Sequence, residues 1–334
     1  MNPYRAPWWL PGGQLQTIWP ALFARTKPAA LAAPQFRRER WITPDNDFVD
    51  VDFLHQAQTA PLGAPSRPML VLFHGLEGSS ASHYAQAFAS WAEQEKLDLA
   101  IPHFRGCSGE LNLGPRAYHS GDHVEIDWIL KRLAQRPGAQ ALLAAGVSLG
   151  GNALMRWAGE QGAAAKHTVK AVASICSPLD LAASGQAIGQ GFNRQVYTRM
   201  FLRSMKPKAM AKWRQFPGLF DAQRLNAATD LYEFDNVFTA PLHGFMDTQD
   251  YWAQASALPH LTRIQIPALA LNARNDPFIP ARSLPAPHQV SRHVTLWQPA
   301  HGGHVGFTSG PPPGALVDMP QAVGGWLMEQ LRHG

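Results

Sequence analysis

The five residues Gly146-Val147-Ser148-Leu149-Gly150 constrain this chain more than any other segment. They follow an apolar run, residues 141–147, and open a helical pattern over residues 150–159. A serine at such a junction sits on a tight, strained turn between a strand and a helix. Glycines two residues to either side relieve the crowding there, and Gly151 adds room for close approach of the helix. The turn lifts the Ser148 hydroxyl above a sheet and aims the Leu149 N–H at charge developing on a substrate oxygen. The bare five-residue pattern recurs by chance. Its place between a strand and a helix is what makes Ser148 a candidate nucleophile.

The rest of the chain supplies the sheet that such a turn needs. Val49, Val51 and Phe53 alternate with Asp50 and Asp52, the pattern of a half-buried strand. A loop rich in Pro, Gly and Ala, residues 57–68, leads to the apolar run 69–73, which reads as a strand buried on both faces. Helix 83–96, strand 97–104, helix 122–135, strands 141–147 and 169–176 come next, then strands 266–271 and 294–297 and a closing helix near 321–332. This alternation predicts an α/β fold, a mostly parallel sheet with helices on both faces. Residues 1–36 read as an irregular arm packed down by Trp8, Trp9 and Trp19. The core then covers 37–181 and 262–334. Residues 182–261, helical in pattern but without a strand, read as a cap inserted over the carboxyl edge of the sheet.

Composition excludes several classes. Hydrophobic residues at 46% and charged ones at 16% suit a large buried sheet and argue against disorder. The net charge of +5 comes without a nucleic-acid-binding motif, so no nucleic-acid partner is expected. Cys107 and Cys176 give neither a disulfide framework nor metal spacing and read as small buried thiols. Pro3, Pro7 and Pro11 break up the first dozen residues, so no signal peptide is read there. The longest apolar stretch, 139–157, is interrupted by Gly146, Ser148, Gly150, Gly151 and Asn152, so no stable membrane insertion is expected. The expectation is a soluble cytoplasmic protein.

A serine hydroxyl needs a base, and the base needs an orienting carboxylate. In chains with this turn the order is serine, acid, histidine. Asp276 stands in a loop just past strand 266–271, pinned by Pro277 and Pro280; Asp180, after the preceding strand, is the competing acid. His301 and His304 lie past the last strand, and Gly302-Gly303 lets the loop bend His304 back over the sheet edge. A second oxyanion donor falls to Leu76, just after His74-Gly75 at the end of strand 69–73. His74 reads as a structural residue that ties this loop, and Glu77 as a solvated or loop-anchoring carboxylate. No HExxH pattern and no metal-spaced His/Asp cluster appears, so no metal or other cofactor is expected.

With these residues in place the chain resembles the YheT-like branch of the α/β-hydrolases, which includes the animal alpha/beta-hydrolase-domain lipases that act on acylglycerols. The resemblance covers nearly the whole chain. It rests on Gly13-Gln14-Leu15-Gln16-Thr17, on His74-Gly75-Leu76-Glu77-Gly78-Ser79-Ser80 and on His103-Phe104-Arg105-Gly106-Cys107-Ser108-Gly109. It continues through residues 146–152, Ser177-Pro178-Leu179-Asp180-Leu181, Asn275-Asp276-Pro277 and Gly302-Gly303-His304-Val305-Gly306-Phe307. The resemblance implies an α/β-hydrolase fold and a carboxylesterase or acylglycerol-lipase activity, with the triad carried onto Ser148, Asp276 and His304. It also favours His304 over His301. The chain departs from the family pattern at Gln14, where histidine is frequent, and no amino-terminal anchor like that of the animal relatives is expected in it.

Two other readings compete with an ester hydrolase of small-molecule substrates. One is acyl transfer to an alcohol or thiol on the same triad; the other is a non-catalytic binding protein that keeps the fold. Retention of all three triad residues argues against the second. Residues 190–214 hold Arg194, Arg199, Arg203, Lys206, Lys208, Lys212 and Arg214 without an acid, interleaved with Phe192, Val196, Tyr197, Met200, Phe201, Leu202 and Met205. Around a helical wheel Arg203 falls between Phe192 and Val196, so this segment reads as a pocket-lining cap with its charges turned outward rather than as a membrane-binding face.

Overall fold

A computed structural model describes residues 4–27, 32–55, 67–136 and 141–332. The strands are β1 (Phe36–Ile42), β2 (Phe48–Leu54), β3 (Met69–Phe73), β4 (Asp98–Pro102), β5 (Leu142–Val147), β6 (Ala171–Ile175), β7 (Ala268–Leu271) and β8 (Val294–Trp297). They form one sheet in the order β1-β2-β4-β3-β5-β6-β7-β8. Pairing is parallel from β4 through β8 and antiparallel at β1–β2 and β2–β4. The central strands β3 and β5 are apolar throughout because helices cover both faces.

The helices are α1 (Gly12–Phe23), α2 (His83–Gln94), α3 (His123–Ala134), α4 (Leu149–Gln161), α5 (Leu181–Ile188), α6 (Arg199–Gln215), α7 (Ala222–Ala227), α8 (Leu231–Val237), α9 (Thr239–Leu242), α10 (Thr248–Ala255) and α11 (Asp318–Arg332). Side-chain alternation along the strands divides the core. Val71 and Phe73 of β3 meet Ile126, Ile129 and Leu130 of α3 and Leu154 and Trp157 of α4. Leu70 and Leu72 point the other way, onto Phe88 of α2 and Val323 and Leu327 of α11. Between β6 and β7 the described chain is helical, with α5 to α10 and no strand.

Three expectations need correction. Strand β2 is not half-buried: all seven residues are buried, Asp50 and Asp52 included. Its acidic face is covered because Arg40 forks onto Asp50 at 2.8 and 2.9 Å, while Asp52 receives Arg38 at 2.7 and 2.9 Å, Ser80 Oγ at 2.6 Å and His103 Nε2 at 2.9 Å. The arm is not irregular either, since it carries α1 despite Gly12, Gly13 and Pro20. Tertiary burial of Gln16, Thr17 and Pro20 outweighs the poor helix propensity of the two glycines, Thr17 and Pro20. Trp9 and Trp19 meet edge to face at 5.7 Å, but Trp8 is 92% exposed and anchors nothing. The Pro/Gly-rich loop read over 57–68 lies mostly outside the described residues.

The β2 network generates a prediction. Burial alone would raise the Asp52 carboxyl, but hydrogen bonds from Arg38, His103 and Ser80 outweigh it and hold the group well below the usual carboxylate range. Its stabilising contribution is therefore complete above pH ~4 and is lost as pH falls toward the folded-state value. Asp52→Ala should lower the unfolding free energy by about 2 kcal/mol at neutral pH, because the buried His103 Nε2 and Ser80 Oγ then lose their partner. Urea titrations as a function of pH should also show a flatter loss of stability below pH ~4 in this variant.

Candidate active site

Ser148 occupies the junction of β5 and α4 with φ 52° and ψ −120°, a left-handed backbone that the flanking glycines make possible. A Cβ on Gly146 would stand 2.5 Å from the Gly150 oxygen, and one on Gly150 would stand 2.5 Å from the His74 oxygen. No side chain fits at either position. The Ser148 N–H donates to Ile175 O at 2.8 Å, which ties the turn to the end of β6.

The loops after β7 and β8 reach the same point from the other side. Asp276 is 5% exposed; its Oδ1 accepts the Phe278 N–H at 2.8 Å, and its Oδ2 lies 2.8 Å from His304 Nδ1. His304 Nε2 in turn lies 3.1 Å from Ser148 Oγ. With Nδ1–H donating to the carboxylate, Nε2 is left to accept the serine proton. Phe278 packs on the imidazole with ring centres 4.2 Å apart.

The loop after β3 closes the arrangement. The Cβ direction of Gly75 points within 3.2 Å of Ser148 Cβ, so this loop and the turn are in contact. Gly75 N–H donates to Tyr84 Oη at 2.8 Å and Glu77 N–H to Tyr118 Oη at 3.0 Å. Leu76 lies between these two anchored amides. Among the described residues neither the Leu76 nor the Leu149 N–H meets a protein acceptor, the latter because the first amides of a helix have no intrahelical partner. Sequence reasoning missed both tyrosines. Nothing near Tyr84 or Tyr118 in the chain marks them; only folding brings them to the loop.

The other candidates have different work. Asp180 caps α5, accepting the Ala183 N–H at 3.0 Å. His301 is exposed and stands outside the cleft wall. His74 is fully buried between Gly75 O at 2.8 Å and the Phe104 N–H at 3.0 Å, and burial next to His103 pushes its imidazole down to about 3. It is a neutral tie for the loop. Glu77 is an anchor: Tyr118 donates to its Oε1 at 2.9 Å, and Lys208 Nζ pairs with its Oε2 at 2.9 Å.

A cleft with a cavity volume of about 160 Å³ opens over Ser148 and His304. Its wall is mainly apolar, with Ile188, Phe201, Met205, Leu231, Phe234 and Phe278 facing Leu76 and Leu149. Phe201 and Met205 come from the basic segment 190–214, whereas Phe192 and Met200 are exposed. The charges of that segment do not all face outward. Lys208 turns in to Glu77, and the buried Lys212 donates to Asn112 O at 2.6 Å and Gly114 O at 2.7 Å, with burial pushing its ammonium down to about 8.

Among the described residues one set of three metal-type donors converges: Cys176, Asp276 and His304. Asp276 and His304 already face each other in a 2.8 Å hydrogen bond, and burial pushes the Cys176 thiol well above its usual range, so this set does not present an ion with open, deprotonated ligands.

Residues 68–311 match the family described as alpha/beta hydrolase fold. The YheT protein of Escherichia coli (strain K12), named as an inferred esterase, is 37% identical over 89% of this chain and 84% of its own. The chain belongs to the α/β-hydrolase family, in its YheT-like branch. Phospholipase ABHD3 of Homo sapiens is 26% identical over 93% of this chain and 75% of its own length. The α/β-hydrolase fold also aligns with the Pyrococcus furiosus esterase Pf2001, at a TM-score of 0.55 and 15% identity over 91% of this chain and 98% of that one. Est1E from Butyrivibrio proteoclasticus aligns at a TM-score of 0.55 and 13% identity, over 90% and 100% of the two chains. No described helix of the α/β hydrolase is long and apolar enough to cross a membrane.

The cap role of Asp180 can be checked by stability. Asp180→Ala should lower the unfolding free energy by about 1 kcal/mol, and Asp180→Asn, which retains a capping oxygen, by only a few tenths. Equal losses for the two, measured by denaturant titration, would contradict a capping role.

Proposed function

We propose that this α/β hydrolase cleaves carboxylic esters through an acyl-enzyme on Ser148, with His304 as general base and acid and Asp276 as the orienting carboxylate. The observation that carries the reading is the unbroken hydrogen-bond line from Asp276 to His304 to Ser148, at 2.8 and 3.1 Å, opening onto an apolar cleft. The names of the relatives, an inferred esterase and a phospholipase, together with a monoacylglycerol lipase of Saccharomyces cerevisiae, support an ester as the substrate.

The chemistry follows from this reading. Ser148 Oγ attacks the ester carbonyl carbon while its proton passes to His304 Nε2, and Asp276 stabilises the imidazolium. The carbonyl oxygen takes on negative charge and is held by the Leu76 and Leu149 N–H groups; in such enzymes loss of one donor costs about 3 kcal/mol in transition-state stabilisation. The alcohol departs with the proton from His304. Water then attacks the acyl-enzyme, giving a proton to His304, and the carboxylic acid is released as Ser148 regains its proton. Residues 182–261 act as the cap, supplying Phe201, Met205, Leu231 and Phe234 to the acyl pocket.

Ser148→Ala should abolish both turnover of p-nitrophenyl esters and labelling by a fluorophosphonate while the protein stays folded; labelling retained by a folded variant would refute the nucleophile. Asp276→Asn and His304→Ala should each lower kcat by roughly 10³-fold or more. Across p-nitrophenyl esters from acetate to palmitate, Phe201→Ala and Met205→Ala should shift the preferred chain length and leave acetate hydrolysis largely intact. An unchanged preference in both would remove the acyl chain from this part of the cleft.

A further inference from the structure

Helix α1 lies against both loops of the proposed active site, and two of its side chains bond to them. Gln16 is 2% exposed and Thr17 8% exposed. Gln16 Oε1 accepts from Asn275 Nδ2 at 2.8 Å and from the Gly302 N–H at 2.9 Å, while its Nε2 donates to Leu10 O at 2.8 Å. Turning the amide over would set a donor against two donors, so the orientation is fixed by its partners. Asn275 Oδ1 in turn accepts the Gly303 N–H at 3.0 Å, completing a ring of polar contacts between the two loops. Thr17 Oγ1 donates to Gly13 O at 2.7 Å and accepts the backbone N–H of His304 at 2.9 Å.

The backbones also touch. A Cβ on Gly13 would stand 1.9 Å from the Asn275 oxygen, one on Gly303 2.6 Å from the Gln16 carbonyl carbon, and one on Gly306 1.8 Å from the Gln16 oxygen. The helix is therefore wedged between the residue that precedes Asp276 and the residues that flank His304. The two loops are joined at their bases, where the Arg274 N–H donates to Pro299 O at 2.8 Å, and α1 braces them beyond that point.

We propose that Gln16 and Thr17 are positioning residues of the ester hydrolase: Gln16 sets the separation of the acid and base loops, and Thr17 fixes the main chain of His304. The proposal rests on the triad reading above. A hydroxyl acting through the His304 backbone changes how well the imidazole is aimed at Ser148 without touching the cleft that binds substrate. Its effect belongs in kcat rather than KM.

The test is steady-state hydrolysis of p-nitrophenyl butyrate by the full chain. Thr17→Val keeps the shape and removes the acceptor; it should lower kcat about 10- to 100-fold with KM within about two-fold. Thr17→Ser restores the hydroxyl and should recover at least half of the parental kcat. In a His304→Ala background Thr17→Val should cost nothing further, because the group it positions is gone. Gln16→Ala should show the same kcat-selective loss if it folds; if it does not, the threonine pair and the double variant carry the test. A parental kcat for Thr17→Val, or a loss that persists without His304, overturns the proposal. If His304→Ala itself turns over at the parental rate, the triad reading falls and the positioning role falls with it. An inactive His304→Ala beside a fully active Thr17→Val overturns the positioning role alone.

Discussion

The left-handed backbone of Ser148 is the constraint on which the remaining arrangement depends. Holding a non-glycine residue there costs on the order of 1–3 kcal/mol. Burial of the adjoining helix α4 offsets that cost, since Ala153, Leu154, Met155, Trp157 and Ala158 are all fully buried. The same turn forces the helix against the strands so closely that Gly146 and Gly150 admit no side chain. Gly150 in turn presses on the His74 carbonyl, so the loop bearing Leu76 takes its position from the serine turn itself. The serine and the flanking amides at Leu76 and Leu149 are thus consequences of one close approach.

Features written in local pattern were legible in the sequence. The alternation of apolar runs with helical periods marked β3 to β8, and the glycines around Ser148 and before His304 marked turns where a catalytic group could stand. Ser148, Asp276 and His304, which follow β5, β7 and β8, lie within hydrogen-bond distance of one another in that chain of contacts. What stayed hidden depends on partners far along the chain. Asp50 and Asp52 looked like a solvated face because their cations come from β1, a separate strand, and α1 looked irregular because its helix is justified by burial rather than propensity. Tyr84 and Tyr118 carry no local mark at all.

The insertion between β6 and β7 is joined to the rest of the protein by charge as well as by apolar packing. Lys208 pairs with Glu77 in the loop that carries Leu76, and Lys212 is held by the carbonyls of Asn112 and Gly114. Two members of a basic run that reads as solvent-facing therefore serve as internal ties. Burial of the Lys212 ammonium outweighs the favourable charge of Asp47 and depresses its value to about 8. The helix that lines the cleft with Phe201 and Met205 is in this way indexed to the loops beneath it.

An open sheet has two free borders, and each exposes a row of unpaired amides and carbonyls that could recruit a strand from another molecule. Here β1 forms one border with Arg37, Arg38, Glu39 and Arg40 in succession, and β8 forms the other with four residues. A second chain adding to β1 would have to bring its backbone up to a dense band of charge, and one adding to β8 would gain few bonds. The arginines that neutralise β2 thus also place charge along this border, the kind of edge that disfavours strand addition. The cations that let the sheet hide its acids are the same ones that charge its border.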